Sequence, residues 1–173
     1  MHTIQYIAIK ADSPYEAFRD VQNYLEINMG ESGEENWYDW FVTGGGRWAS
    51  NPEAQYDNNF MDDVVHQSDK KFQEYLDTAH KWRLETLDQY IEQARKVNLS
   101  DIIDKLGDFE HDHFRVGMEL YPITKLYDMA TAKWDFNSYF FDSVNDSTNR
   151  KYMLESIDNG ADNWYLVPVD FHF

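Results

Sequence analysis

Residues 3–16 read Thr3-Ile4-Gln5-Tyr6-Ile7-Ala8-Ile9-Lys10-Ala11-Asp12-Ser13-Pro14-Tyr15-Glu16, and this stretch sets the class of the fold. Ile4, Tyr6, Ile7 and Ile9 make a short β-prone apolar run, the pattern of a strand covered on both faces. A helix is predicted directly after it. Ser13-Pro14-Tyr15-Glu16 is a capping box: the Ser13 hydroxyl accepts from the Glu16 amide, the Glu16 carboxylate reaches back, and Pro14 takes the first helical position, where an amide hydrogen has no partner to lose. Phe18, Val21, Leu25 and Met29 follow at helical spacing.

Outward from this start, residues 29–35 mix glycine and glutamate and read as a loop. Residues 37–42, Trp37-Tyr38-Asp39-Trp40-Phe41-Val42, read as a second strand that runs into Thr43-Gly44-Gly45-Gly46-Arg47-Trp48. The longest helical pattern covers residues 60–97. As one rod it would extend about 57 Å at 1.5 Å per residue, against a radius of gyration of about 16 Å for a domain of this length. A break is therefore expected, with Ser68-Asp69 as a fresh N-cap, a short helix over 60–67 and a long one over 69–97. Ser100 is expected to cap a further helix over 101–106 that stops at Gly107. Residues 110–121 fit strand or helix and should end at Pro122.

Residues 123–127 and 134–141 are rich in β-branched and aromatic types and read as strands, and 148–157 reads as a helix. The closing residues 164–173 alternate Tyr165, Val167, Val169, Phe171 and Phe173 with other side chains; Pro168 points to a sheet edge. The expectation is one α+β domain over residues 1–173: a ferredoxin-like β-α-β start, a long inserted helical segment at about 60–106, and a β-rich end.

The chain has 15 Lys+Arg against 32 Asp+Glu, a formal net charge of −17. That excess disfavours a direct grip on nucleic acid or on an anionic membrane face, both of which are held through basic patches. Yet 42% hydrophobic and 17% aromatic residues are too many for a disordered acidic tail. With no cysteine there is neither a disulfide framework nor a thiolate centre. No window approaches the roughly 18 apolar residues of a membrane span, and a cytoplasmic protein is expected.

Three segments carry candidate chemistry. In Thr43-Gly44-Gly45-Gly46-Arg47-Trp48 the glycines bring bare backbone to a ligand, Arg47 offers a planar fork to a phosphate or carboxylate, and Trp48 a face for stacking. The spacing is not that of a P-loop, and a tight turn with Arg47 paired to a carboxylate is the alternative. Asp170 and His172, two apart on the closing strand, face one way and supply an oriented imidazole, though no nucleophile accompanies them. Glu110-His111-Asp112-His113 has metal-ligand residue types, but nothing in the sequence places further ligands beside it, and no metal or other cofactor is expected. The acidic residues also cluster: Glu31, Glu34, Glu35, Asp39, Glu53, Asp57, Asp62 and Asp63 surround the single cation Arg47. Such a surface either solvates the chain or imitates the phosphate spacing of DNA.

Asp39-Trp40-Phe41-Val42-Thr43-Gly44-Gly45-Gly46-Arg47-Trp48, then Trp134, then Val169-Asp170-Phe171-His172 together resemble a loose family of uncharacterised small phage and bacterial proteins. The likeness touches both ends of the chain and leaves out its helical middle; this sequence has one glycine more in the central motif. The resemblance implies that Asp39, Arg47, Trp48, Trp134, Asp170 and His172 assemble in one place, as a pocket or as a structural keystone. The function expected first is a phage-type accessory protein that inhibits a host nucleic-acid-binding or defence protein with a basic surface. Its acidic interaction surface would comprise Glu31, Glu34, Glu35, Glu53, Asp57, Asp62 and Asp63. The alternative is a small-molecule or nucleotide-binding protein with its pocket at Asp39, Gly44, Gly45, Gly46, Arg47, Trp48, Trp134, Asp170 and His172. A homodimer through the long helix is a third expectation.

Overall fold

The computed structural model describes residues 1–30, 37–107, 113–161 and 163–173. The opening stretch forms strand β1 (His2–Lys10) and helix α1 (Pro14–Gly30). The Ser13 hydroxyl accepts from the Glu16 amide at 3.1 Å, and the Glu16 carboxylate accepts from the Asp12 amide at 2.8 Å, one residue earlier than a standard box would close. β1 is buried on both faces. Ile7 joins a core with Val21 and Leu25 of α1, while Ile4, Tyr6 and Ala8 join a second core on the other face.

The remaining elements are β2 (Trp40–Thr43), β3 (Val65–His66), α2 (Lys70–Ala94), α3 (Leu99–Gly107), α4 (His113–Ala130), β4 (Phe140–Asp142), α5 (Lys151–Asp158) and β5 (Trp164–His172). The sheet runs β2-β5-β1-β4, with β3 also paired to β5. α1 packs on one face, and α2 with α5 on the other, where Phe72, Leu76 and Met153 meet Phe140, Trp164 and Leu166. The fold is α+β. β1 and β2 both run antiparallel to β5, which lies between them, and β4 runs parallel to β1. These pairings do not establish a ferredoxin-like start. No helix among the described residues is long and apolar enough to cross a membrane.

Several local expectations are corrected. β5 is central, not an edge strand: β1 pairs with its whole length on one side, and β2 and β3 share the other. Pro168 falls in the gap between β2 and β3. Its carbonyl accepts from Gly44 N–H on that side at 2.8 Å, but β2 ends at Thr43, so the return bond that an amide hydrogen at 168 would make lies beyond the ladder. Residues 60–67 form turns and the two-residue β3 rather than a helix, because pairing with β5 engages that backbone.

α2 begins at the expected cap, with the Asp69 carboxylate accepting from Lys71 N–H at 2.9 Å. α3 is capped instead by Asn98, whose side chain accepts from Asp101 N–H at 3.4 Å. Pro122 lies inside α4, and the strand expected over 123–127 is helical; packing of α4 along α2 outweighs the hydrogen bond that proline removes. The helical part therefore runs on to Ala130. Of the strand expected over 134–141 only its end pairs, as β4. Asp135 holds the rest in turns: its Oδ1 accepts from Asn137 N–H and its own N–H donates to the Ser138 hydroxyl, both at 2.9 Å.

Candidate functional site

The register of β5 determines which side chains meet. Asp170 pairs with Val42 of β2 and Ile4 of β1, and His172 pairs with Trp40 and His2. With a period of two, Asp170, His172, Trp40 and His2 all lie on one face at one end of the sheet. The glycine run enters this face from β2. Gly44, Gly45 and Gly46 all have positive φ, at 95°, 98° and 50°. A Cβ at Gly46 would sit 2.5 Å from the Asp170 Cβ, and one at Gly44 would sit 2.2 Å from the Phe60 carbonyl oxygen. Glycine is thus what lets the backbone close over Asp170.

Asp170 is fully buried. One carboxylate oxygen lies 2.9 Å from His2 Nδ1, and the other accepts from the Arg47 backbone N–H at 3.2 Å. The Arg47 side chain approaches that second oxygen only to 3.9 Å through Nε, and among the described residues its guanidinium makes no hydrogen bond. It is 44% exposed, so the charge stays available to solvent or ligand. Trp48, next in the chain, is also well exposed.

A second carboxylate–imidazole couple adjoins the first. His172 Nδ1 lies 2.6 Å from Asp39 Oδ1, and this hydrogen bond holds the Asp39 carboxyl below the usual carboxylate range. The His172 ring stacks on Trp40 at 5.1 Å, and the His2 ring meets both edge-on, at 4.8 Å from His172 and 5.0 Å from Trp40. Each imidazole thus has Nδ1 committed to a carboxylate, and among the described residues neither Nε2 has a hydrogen-bond partner. A neutral ring so held offers Nε2 as a base; a protonated ring offers Nε2–H as a donor to an anion.

The structure brings Asp39, Gly44, Gly45, Gly46, Arg47, Trp48, Asp170 and His172 to one end of the sheet. Trp134 does not join them. It stacks on Phe141 at 4.2 Å on the opposite face, with Nε1 donating to Gln5 Oε1 at 2.8 Å, so it belongs to the α1-side core. His2 and Trp40 are additions that strand register supplies; alternation along β1 puts His2 in phase with Ile4, but only the pairing with β5 shows what it faces.

The acidic surface is smaller than expected. Asp63 is buried, accepting from Ser50 N–H at 2.5 Å with the Tyr75 hydroxyl at 3.5 Å and Lys71 at 3.8 Å. It is an internal anchor. Glu53 and Asp62 are exposed and Asp57 half-buried, while Glu31, Glu34 and Glu35 lie outside the described residues, as do His111 and Asp112. Among the described residues no group of three His, Asp or Glu is arranged to hold a metal ion. Comparison with family models, curated proteins and solved structures finds no match.

Proposed function

We propose that the chain binds a small anionic ligand carrying an aromatic ring, with a nucleotide as the class that uses every part of the site. The observation that carries this reading is Arg47: a guanidinium without a hydrogen bond among the described residues, beside two imidazoles whose Nδ1 atoms are already fixed by carboxylates. A phosphate would take the planar fork of Arg47 and an Nε2–H of His172, and the exposed indole of Trp48 offers a stacking face. Asp170 and Asp39 position the two rings and need not touch the ligand.

Calorimetric titration with AMP, adenosine and inorganic phosphate tests this. AMP should bind more tightly than either fragment, and Arg47→Gln and His172→Gln should each weaken it by about tenfold or more with the far-ultraviolet circular dichroism unchanged. Absence of AMP binding, or full binding by both variants, would sink the reading. The alternative reading, inhibition of a host protein with a basic surface, rests among the described residues on Glu53, Asp57 and Asp62 and stands second. Ligand binding requires neither such a partner nor a second copy on the long helix.

A further inference from the structure

A cavity of about 370 Å³ lies between α2, α4 and the turn leading into α5. That is within the range of small-molecule sites, roughly 300–1,000 Å³. Leu76, Ala79 and Leu87 of α2, with Met129 of α4 and Phe140 of β4, give it an apolar floor. Among the described residues its lining holds three basic side chains, His80, Arg83 and Arg150, and no carboxylate. In a chain of net charge −17 that composition is unexpected.

The two arginines are incompletely partnered. Arg83 is half-buried and donates from Nη2 to the Met129 carbonyl oxygen at 3.1 Å, a neutral acceptor. Burial pushes its pKa down, opposed by Asp135, which is itself engaged with Lys125 at 2.9 Å. Arg150 meets Asp77 only at 3.8 Å, and Asp77 is largely in solvent. A guanidinium withdrawn from water without a close counter-charge is costly, and an anion supplied from outside removes that cost. The walls are tied in place: the Thr148 hydroxyl donates to the Ala132 carbonyl at 3.1 Å, and Ala132 itself is held at φ 55°.

We infer that this cavity binds a small organic anion, a short alkyl or single-ring body bearing one carboxylate or phosphate head, with the head on Arg83 and Arg150 and the body on the apolar floor. The site is independent of Arg47 and His172. The planar fork of arginine suits either head, and a charge-assisted bidentate bond in a half-buried setting outweighs one in water.

The test is calorimetry and thermal unfolding of the intact chain with octanoate, octyl phosphate and octanol at low salt. At least one anion should bind saturably and raise Tm, while octanol should not; the two anions compared identify the preferred head. Arg83→Met and Arg150→Gln should each weaken that binding by about tenfold or more, whereas Lys70→Gln, on the exposed start of α2, should leave it unchanged. Equal binding of octanol, no binding of either anion, or full binding by the arginine variants overturns the inference. Should Arg83→Met fail to fold, Arg150→Gln decides alone, since its one ion pair among the described residues is long and solvent-exposed.

Discussion

Replacing Gly46 by alanine tests the way the glycine run closes over Asp170. The new Cβ would lie 2.5 Å from the Asp170 Cβ and 2.6 Å from its Oδ2, at φ +50°. A left-handed conformation costs a non-glycine residue about 1–2 kcal/mol. The overlap adds about 1–3 kcal/mol if the core strains to keep its contacts. If the Asp170 carboxylate moves away instead, it leaves buried groups unpaired at about 1–3 kcal/mol. Either route gives a loss on the order of 2–5 kcal/mol, or roughly 4–20 °C in Tm for a chain of this size.

Two other glycines serve as internal controls. At Gly45 the nearest atoms to a Cβ are 3.4 Å away, so Gly45→Ala should show only the conformational cost of about 1–2 kcal/mol. At Gly107, which has no positive φ, no atom of the described residues lies within 4 Å, and Gly107→Ala should be neutral or slightly stabilising. Urea unfolding followed by tryptophan fluorescence measures all three. A Gly46→Ala variant no less stable than Gly45→Ala would refute the close-approach argument.

Three further outcomes follow from the same geometry. Asp170→Asn puts an amide donor or an uncharged acceptor against the His2 ring and the Arg47 N–H inside the fold, and should cost about 1–3 kcal/mol by urea unfolding; an unchanged midpoint would contradict the keystone role. The His172 bond depresses the Asp39 pKa, so its contribution is present above the ordinary carboxylate range and lost as pH falls through the folded pKa. The stability gap between the native chain and Asp39→Asn should therefore narrow between about pH 5 and pH 2, and a widening gap would reverse the sign. Burial, with Asp63 nearby, pushes the Tyr6 phenol up to about 12, and burial raises Tyr38 and Tyr75 as well. Stability from these groups is complete below the ordinary tyrosine pKa and is lost as pH rises above it. Phenolate absorbance should show them ionising only with alkaline unfolding; ionisation of all 12 tyrosines in one step near pH 10 would refute this.

What the sequence revealed depended on whether local chemistry or tertiary pairing decided the structure. The capping box at Ser13 and the N-cap at Asp69 act within a few residues, and both helices start where the sequence places them. Pro168 and Pro122 misled for the opposite reason. Each lacks a hydrogen-bond donor, but a gap between two partner strands accommodates one and packing along α2 accommodates the other. The site was half legible: Asp39, Arg47, Asp170 and His172 stand out by residue type, whereas His2 enters only through cross-strand register, far from them in sequence. Trp134 shows the converse. Its motif-like position concealed a place on the other face of the sheet, where Gln5 accepts from its ring nitrogen.

The central claim is that two carboxylates hold two imidazoles with Nε2 facing the ligand, and long-range proton–nitrogen NMR of the His2 and His172 rings tests it most directly. Nδ1 should be protonated in both rings of the free protein, and addition of AMP should move the His172 Nε2 resonance, with Arg47→Gln suppressing the change. Unprotonated Nδ1 atoms, or an Nε2 resonance that stays fixed while AMP binds, would contradict the account.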